Sequence, residues 1–285
     1  MGTGKKLYDW LFNIVALLII LIPIVSLTIG AIQTEASLFT NVKNPFPEEI
    51  TFKNFTALIT GKTEGLYFPV QVESFPTAFL NSSIVSIGTS FFTIFFGILS
   101  AYSLVRLDFK GREFYAVTIL ITRMVPLITL VIPLFLLFRN LKMLNTIHGL
   151  ILAQTGFLLP FVIWLLKAYF ETMPRELEEA ARVDGCSRLG ALFRVLIPIA
   201  VPGIASTFVI TFLLTWNELL IPITIASREA VQTLPVLLSS FVSDYQLQYT
   251  IINATALLAM APTVVLTLVL QKYVVAGLTA GAVKG

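Results

Sequence analysis

Six long apolar runs organise this chain, at 11–32, 79–104, 115–138, 148–170, 201–226 and 251–275. Each reaches the ~20 residues that a helix rising 1.5 Å per residue needs to cross about 30 Å of hydrocarbon. A backbone amide left unpaired in lipid costs several kcal/mol, so spans of this kind are helical unless they close into a barrel. The short alternating segments of a barrel are missing from these runs. The pattern predicts an all-α polytopic membrane protein of about six transmembrane helices, read as a single transmembrane domain over 1–285.

One polar stretch, 171–198, interrupts this pattern between the fourth and fifth runs. Pro174 suits the start of a helix, where its missing N–H is not needed. Glu176, Glu178 and Glu179 follow at the positive end of the helix dipole. Leu177, Ala180, Ala181 and Val183 recur at helical spacing, and Asp184-Gly185 signals a stop and a turn. A second short helix is expected beyond it, with Leu189, Leu192, Phe193 and Leu196 on one face and Pro198 and Pro202 closing the element. Arg188 and Arg194 are free to reach water or lipid phosphates. Two short water-soluble helices between membrane spans must lie outside the bilayer, where a soluble partner can grip them.

Composition agrees with the membrane reading. Of 285 residues, 56% are hydrophobic and only 12% charged, about half the charged fraction of an average soluble domain; mean hydropathy is +0.89. The net charge of +3 is scattered among loops and forms no nucleic-acid patch. Cys186 and His148 each stand alone, which excludes an intrachain disulfide and a cysteine- or histidine-rich metal site. Lysine and arginine concentrate in the loops that are inside when both termini are cytoplasmic: Lys5 and Lys6; Arg106, Lys110 and Arg112; Arg175, Arg182, Arg188 and Arg194; and Lys272 and Lys284. This orientation places the 171–198 insertion in the cytoplasm. The first run exceeds a signal-peptide core and ends without an A-x-A site, so it reads as a retained anchor.

The insertion resembles the cytoplasmic signature of the membrane subunits of binding-protein-dependent ABC importers: E-A-A, three residues, G, nine residues, then I-x-L-P. Glu179, Ala180, Ala181, Gly185, Val195, Ile197 and Pro198 stand at that spacing, with Val195 and Ile197 as conservative departures. Thr51-Phe52-Lys53-Asn54-Phe55, Pro126, Pro133, Asn145-Thr146, Trp216-Asn217-Glu218 and the closing GLTAGAVKG are similar to the carbohydrate-importer permeases typified by the maltose transporter. The resemblance implies a permease subunit without an ATPase site, in the inner membrane of a prokaryote, forming half of a path for a sugar or oligosaccharide. Its implied partners are a homologous second permease, two cytoplasmic ATPase subunits carrying ATP and Mg, and an extracytoplasmic sugar-binding protein. Glu179, Ala180, Ala181, Asp184, Gly185 and Pro198 would then belong to the coupling helix and its turn, through which ATPase closure drives alternating access. The loop with Asp244 and Tyr245 would face the binding protein, and the C-terminal 277–285, read as small and flexible, would reach toward the ATPases.

Two charges interrupt the apolar runs. Arg123 and Glu218 would each cost at least about 2.5 kcal/mol at a helix centre, so each is expected to face a cavity or a partner. On a straight-helix ruler Arg123 lies ~12 Å and Glu218 ~20–25 Å from the inner ends of their runs, which argues against a direct bond. Asn217 and Glu218, with Arg123, are the candidates for the substrate path; holding helices together is the alternative role. Gly61-Lys62-Thr63 is no phosphate loop, because Thr56 stands where the first glycine is required. Two other functions stay open: the same machine moving a non-sugar solute, and a membrane-embedded enzyme, for which Arg123 and Glu218 at different depths make a poor active site.

Overall fold

The computed structural model describes residues 3–40, 46–47, 49–62, 71–241 and 248–282, and among these the regular structure is helical throughout. In chain order the helices are α1 (Thr3–Ala31), α2 (Glu35–Thr40), α3 (Lys53–Thr60), α4 (Phe75–Arg106), α5 (Arg112–Ile121), α6 (Leu127–Asn140) and α7 (Ile147–Glu171). There follow α8 (Glu176–Val183), α9 (Arg188–Ala191), α10 (Ile197–Trp216), α11 (Leu220–Ile225), α12 (Leu234–Phe241) and α13 (Tyr249–Ala282). Five stretches are long and apolar enough to cross a membrane: Trp10–Ala31, Val72–Arg106, Ile147–Glu171, Arg188–Trp216 and Tyr249–Tyr273. A sixth exists if the bent pair Arg112–Met124 and Leu127–Asn140 counts as one span.

That pair corrects the expectation of a continuous third span over 115–138. The two halves meet at 97°, through a 3-10 turn at Thr122–Met124. Proline causes the break: Pro126 disfavours the helical region for the residue before it, and Val125 is extended with ψ 119°. The fifth span also differs. The helix runs from Arg188 to Trp216 rather than over 201–226, and Pro198 and Pro202 lie within this stretch instead of closing it. A π-helical turn at Leu192–Leu196 makes this possible, with the Ile197 N–H reaching back five residues to the Leu192 carbonyl. At the other end, the tail read as flexible from Gly277 continues α13 as far as Ala282; no proline interrupts it beyond Pro262.

The chain divides into two compact units. The first comprises Met1–Pro76 and Leu237–Pro262. Here the α1 terminus is fastened by side chains. Asn54, buried, donates through Nδ2 to the carbonyls of Ala31 (2.8 Å) and Gln33 (3.0 Å). The Glu35 carboxylate accepts the backbone N–H groups of Tyr249 and Thr250 and the Thr250 hydroxyl, giving α13 an anionic N-terminal cap. Gly30 leaves room for the Asn253 side chain, which a Cβ there would strike. Gly61, with φ 67°, ends α3 in a left-handed cap.

The second unit comprises Thr77–Val236 and Thr263–Gly285. Its main core joins α4, α7 and the 192–200 stretch through Ile98, Tyr102, Leu166, Phe170, Leu192 and Leu196. Small residues bring the helices together: a Cβ at Gly97 would lie 2.8 Å from Val162, and one at Gly203 would strike the Tyr169 ring. Gly97 is therefore a packing residue. The turn before α7 is equally determined. Asn145, at φ 55°, accepts the Arg228 N–H on its Oδ1 and donates its own N–H to the Ile225 carbonyl, while the Thr146 hydroxyl accepts the Gly149 N–H. His148 sits exposed in the first turn of α7.

Candidate functional site

Local chemistry builds the hairpin of α8 and α9. Three glutamates occupy the first turn of α8. The helix ends with the Cys186 N–H on the Ala181 carbonyl (3.0 Å) and the Gly185 N–H on the Arg182 carbonyl (3.1 Å). These are the paired bonds of a Schellman cap, and Gly185 supplies its left-handed residue at φ 88°. Ser187 then caps α9, its hydroxyl accepting the Gly190 N–H at 3.1 Å. Glu179, Ala180, Asp184 and Pro198 are exposed, and Val183 is 88% exposed, whereas Ala181 is buried against the chain itself. A Cβ at Gly185 would meet nothing within 4 Å. The outward face is therefore small or short: Ala180, Gly185 and an unpacked Val183 flanked by Glu179 and Asp184. In α9 and the following turn the expected single face splits, with Leu192 and Leu196 fully buried and Leu189 and Phe193 exposed. The i, i+4 pair faces the core; the π turn carries its neighbours outward.

The hairpin is tied to the end of α4 by side chains whose meeting the sequence did not announce: Arg106 and Arg175 read as loop charges and Glu178 as a first-turn acid. Glu178 is buried and accepts the Tyr102 hydroxyl at 2.8 Å. Arg106 places Nε 3.7 Å from the second Glu178 oxygen, a charge contact longer than a hydrogen bond. The Arg106 Nη2 donates to the carbonyls of Met173 (2.9 Å) and Pro174 (3.4 Å), at the end of the chain segment entering α8. Arg175 reaches the Val105 carbonyl in return. The signal that could have found this tie is the helical register of α8: Glu178 and Ala181 lie three residues apart, on one side, and only a partnered carboxylate can share a buried face with alanine.

A second group assembles within the membrane-spanning helices. Arg123 sits in the 3-10 turn at the broken span; its Nη1 donates to the Phe157 carbonyl at 3.1 Å, and its guanidinium lies 4.7 Å and 5.5 Å from the ring centres of Phe157 and Phe161. Glu218 follows the end of α10, and its Oε1 accepts the N–H groups of Leu220 (2.8 Å) and Ile221 (3.4 Å), capping α11. Both side chains line one cavity of about 70 Å³ with Gln154, Phe157, Leu158, Leu214, Thr215 and Ile221. They form no ion pair with each other. The expectation of no direct bond agrees with this, but the depth argument behind it does not keep the two apart, since both side chains line the same cavity. Asn217, exposed, donates back to the Leu213 carbonyl and does not line the cavity. Gln154, buried with both amide atoms unpartnered, was missed by sequence reading. Asp244 and Tyr245 lie outside the described residues. Among the described residues no group of three or more histidine, cysteine or carboxylate side chains is placed to hold a metal ion.

The chain resembles known proteins in sequence and in fold. Residues 93–279 match the family described as binding-protein-dependent transport system inner membrane component. The sulfoquinovosyl glycerol transport system permease protein of Agrobacterium fabrum is 33% identical, over 93% of this chain and 89% of its own length. The arabinooligosaccharides transport system permease protein of Bacillus subtilis is 32% identical over 96% and 94%. The trehalose transport system permease protein of Mycobacterium tuberculosis is 33% identical over 84% of each. In fold, the chain superposes with a TM-score of 0.79 on one from a bacterial ABC transporter involved in import of the acidic polysaccharide alginate. That match covers 96% of this chain and 98% of the other at 22% identity.

Proposed function

The chain belongs to the family of binding-protein-dependent transport system inner membrane components, and from that premise we propose that it is one of two permease subunits of an ABC importer for a sugar or oligosaccharide. The relatives named above are permeases of transport systems for sulfoquinovosyl glycerol, arabinooligosaccharides and trehalose, which supports the saccharide class. As a multi-pass inner-membrane component of this family, the chain supplies no catalytic residue of its own. Two partner ATPases hold ATP and Mg, a second permease completes the path, and an extracytoplasmic binding protein delivers the solute.

The observation that carries the reading is the hairpin. Its outward face combines small residues (Ala180, Gly185) with flanking carboxylates (Glu179, Asp184), a shape able to enter a cleft, while its inward face is anchored through Glu178 and Arg106. In this reading the whole of 1–285 acts as one transmembrane domain, with the hairpin and both termini cytoplasmic. ATP shifts a two-state equilibrium because it binds one state better, and the docked hairpin passes that difference to the spans. Glu218 and Arg123 line the path, with Asn217 beside them; Asp244 and Tyr245 meet the binding protein.

Affinity purification of the tagged chain from its native membrane tests the assembly, followed by ATP-driven saccharide uptake into proteoliposomes. Two ATPase subunits and a second permease are expected in the purified particle. A particle without an ATPase, or a hairpin labelled from outside the cell, refutes the reading; uptake confined to a polyamine or phosphate refutes only the sugar.

A further inference from the structure

The cavity lined by Arg123, Gln154 and Glu218 has an unusual combination of charges for the interior of an apolar helix bundle. Arg123 is half-exposed and carries no ion pair among the described residues; Glu218 is half-exposed and carries none either. Gln154 is 1% exposed, and its amide oxygen and nitrogen both lack hydrogen-bond partners. A buried amide with four unused bonding positions is poised to bond water or a ligand. The volume of about 70 Å³ admits several waters, since one needs about 10–15 Å³. Charges in a membrane helix face a partner or a water-filled space rather than lipid. With each charge lacking an ion-pair partner, a hydrated space satisfies all three residues at once.

The chemistry of the free groups selects a solute. Arg123 uses Nη1 for the Phe157 carbonyl, and Nε and Nη2 keep their N–H donors for the cavity. Glu218 spends Oε1 on the two α11 amides and retains Oε2 as an acceptor. Gln154 offers a donor and an acceptor. A hydroxyl both gives and takes a hydrogen bond, so adjacent hydroxyls of a sugar match this set. An ion does not: a polyamine meets the Arg123 charge and a phosphate meets the Glu218 charge, so neither gains from the pair what a neutral polyol gains. We infer that Arg123, Gln154 and Glu218 form a hydrated, charge-balanced station on the translocation path that hydrogen-bonds the hydroxyls of a neutral saccharide. This inference rests on the importer reading and adds to it a residue, Gln154, and a charge class for the solute.

The test uses the complete complex in proteoliposomes, with Cys186→Ser as background. Gln154→Cys and, as a second lining position, Thr215→Cys are treated with 2-aminoethyl methanethiosulfonate, a cation, and 2-sulfonatoethyl methanethiosulfonate, an anion. Both cysteines are expected to react in at least one nucleotide state, at similar rates with the two reagents once each rate is scaled to that of a free thiol. Adding Arg123→Gln should raise the cation-to-anion rate ratio roughly five- to tenfold, and Glu218→Gln should lower it by a like factor. Failure of both cysteines to react in every nucleotide state, while Cys186 in the parent complex reacts, overturns the inference. So does a rate ratio indifferent to both charge variants. Uptake of labelled trehalose and arabinotriose by the parent complex is measured alongside, with galacturonate and spermidine as charged probes. Neutral-sugar uptake with unreactive cysteines refutes the station alone, whereas reactive cysteines with only charged probes transported refutes the neutral solute. A purified complex without an ATPase subunit refutes the importer reading itself.

Discussion

The hairpin of α8 and α9 and the cavity around Gln154 both bury charge, and they do so in opposite ways. In the hairpin the Glu178 carboxylate is closed off by Tyr102 and Arg106, so charge serves as a fastening between α8 and α4. In the cavity Arg123 and Glu218 approach the same space without bonding each other, and a neutral amide between them has nothing to hold. A paired charge fixes one arrangement; an unpaired one keeps its capacity for something that comes and goes. On the proposed function, the contrast separates the part that would transmit force from the part that would meet solute.

The largest expected effect comes from breaking the fastening. Glu178→Ala leaves Arg106, whose side chain is 3% exposed, without its counter-charge, and removing one partner of a buried pair costs about 3–5 kcal/mol. The thermal midpoint of the purified complex should fall by several degrees. Arg106→Met with Glu178→Leu should recover much of that loss, because an apolar pair of similar volume removes the stranded charge. A double variant no more stable than Glu178→Ala would show that the pair is not the fastening. Tyr102→Phe removes only the hydroxyl donor, worth about 1.5–3 kcal/mol for a bond to a charged group. Its midpoint should lie between those of Glu178→Ala and the parent.

Gly185→Ala acts on the same region through the backbone. A Cβ meets no neighbour there, so the whole penalty comes from φ 88°, roughly 1–2 kcal/mol. The expected result is a complex that assembles but hydrolyses more ATP per saccharide moved, because the turn that orients α8 is loosened. Normal stoichiometry would mean that the turn geometry does not set coupling.

How far the two regions could be read from sequence follows from how they are built. The hairpin is local: proline at its entry, acids in its first turn, glycine at its cap and serine before α9 all lie within about one motif length and each has a turn chemistry of its own. The spans were legible in number from length and hydropathy, although the third proved a bent pair and the fifth began earlier than its apolar run. What was hidden is whatever depends on distant residues. Glu178 looks like its neighbours Glu176 and Glu179 until α4 is packed beside it. Gln154 is one polar residue in a long apolar run and carries no pattern. The right angle at Val125-Pro126 was equally hidden, since Pro133 and Pro160 lie inside helices that continue past them. Proline signals a break only where the packing around it provides another direction. The π turn at Leu192–Leu196 likewise follows from how α10 continues the hairpin, which no residue spacing announces.

The smallest effect on stability is the one that sharpens the comparison most. Glu218→Gln keeps a side-chain oxygen for the Leu220 and Ile221 amides, so the cap of α11 survives and only its charge is lost. Near a helix N-terminus that charge is worth about 0.3–1 kcal/mol, which moves the thermal midpoint by a few degrees at most. If the cavity borders the path, uptake should change far more than stability, because the substitution removes the strongest acceptor in the cavity and leaves Arg123 there as an unbalanced cation. A rise in the KM for saccharide-dependent uptake, with assembly and thermal midpoint nearly those of the parent, is the expected signature. Unchanged substrate dependence would assign Glu218 to capping alone and make this region, like the hairpin, a place where charge only holds helices in position.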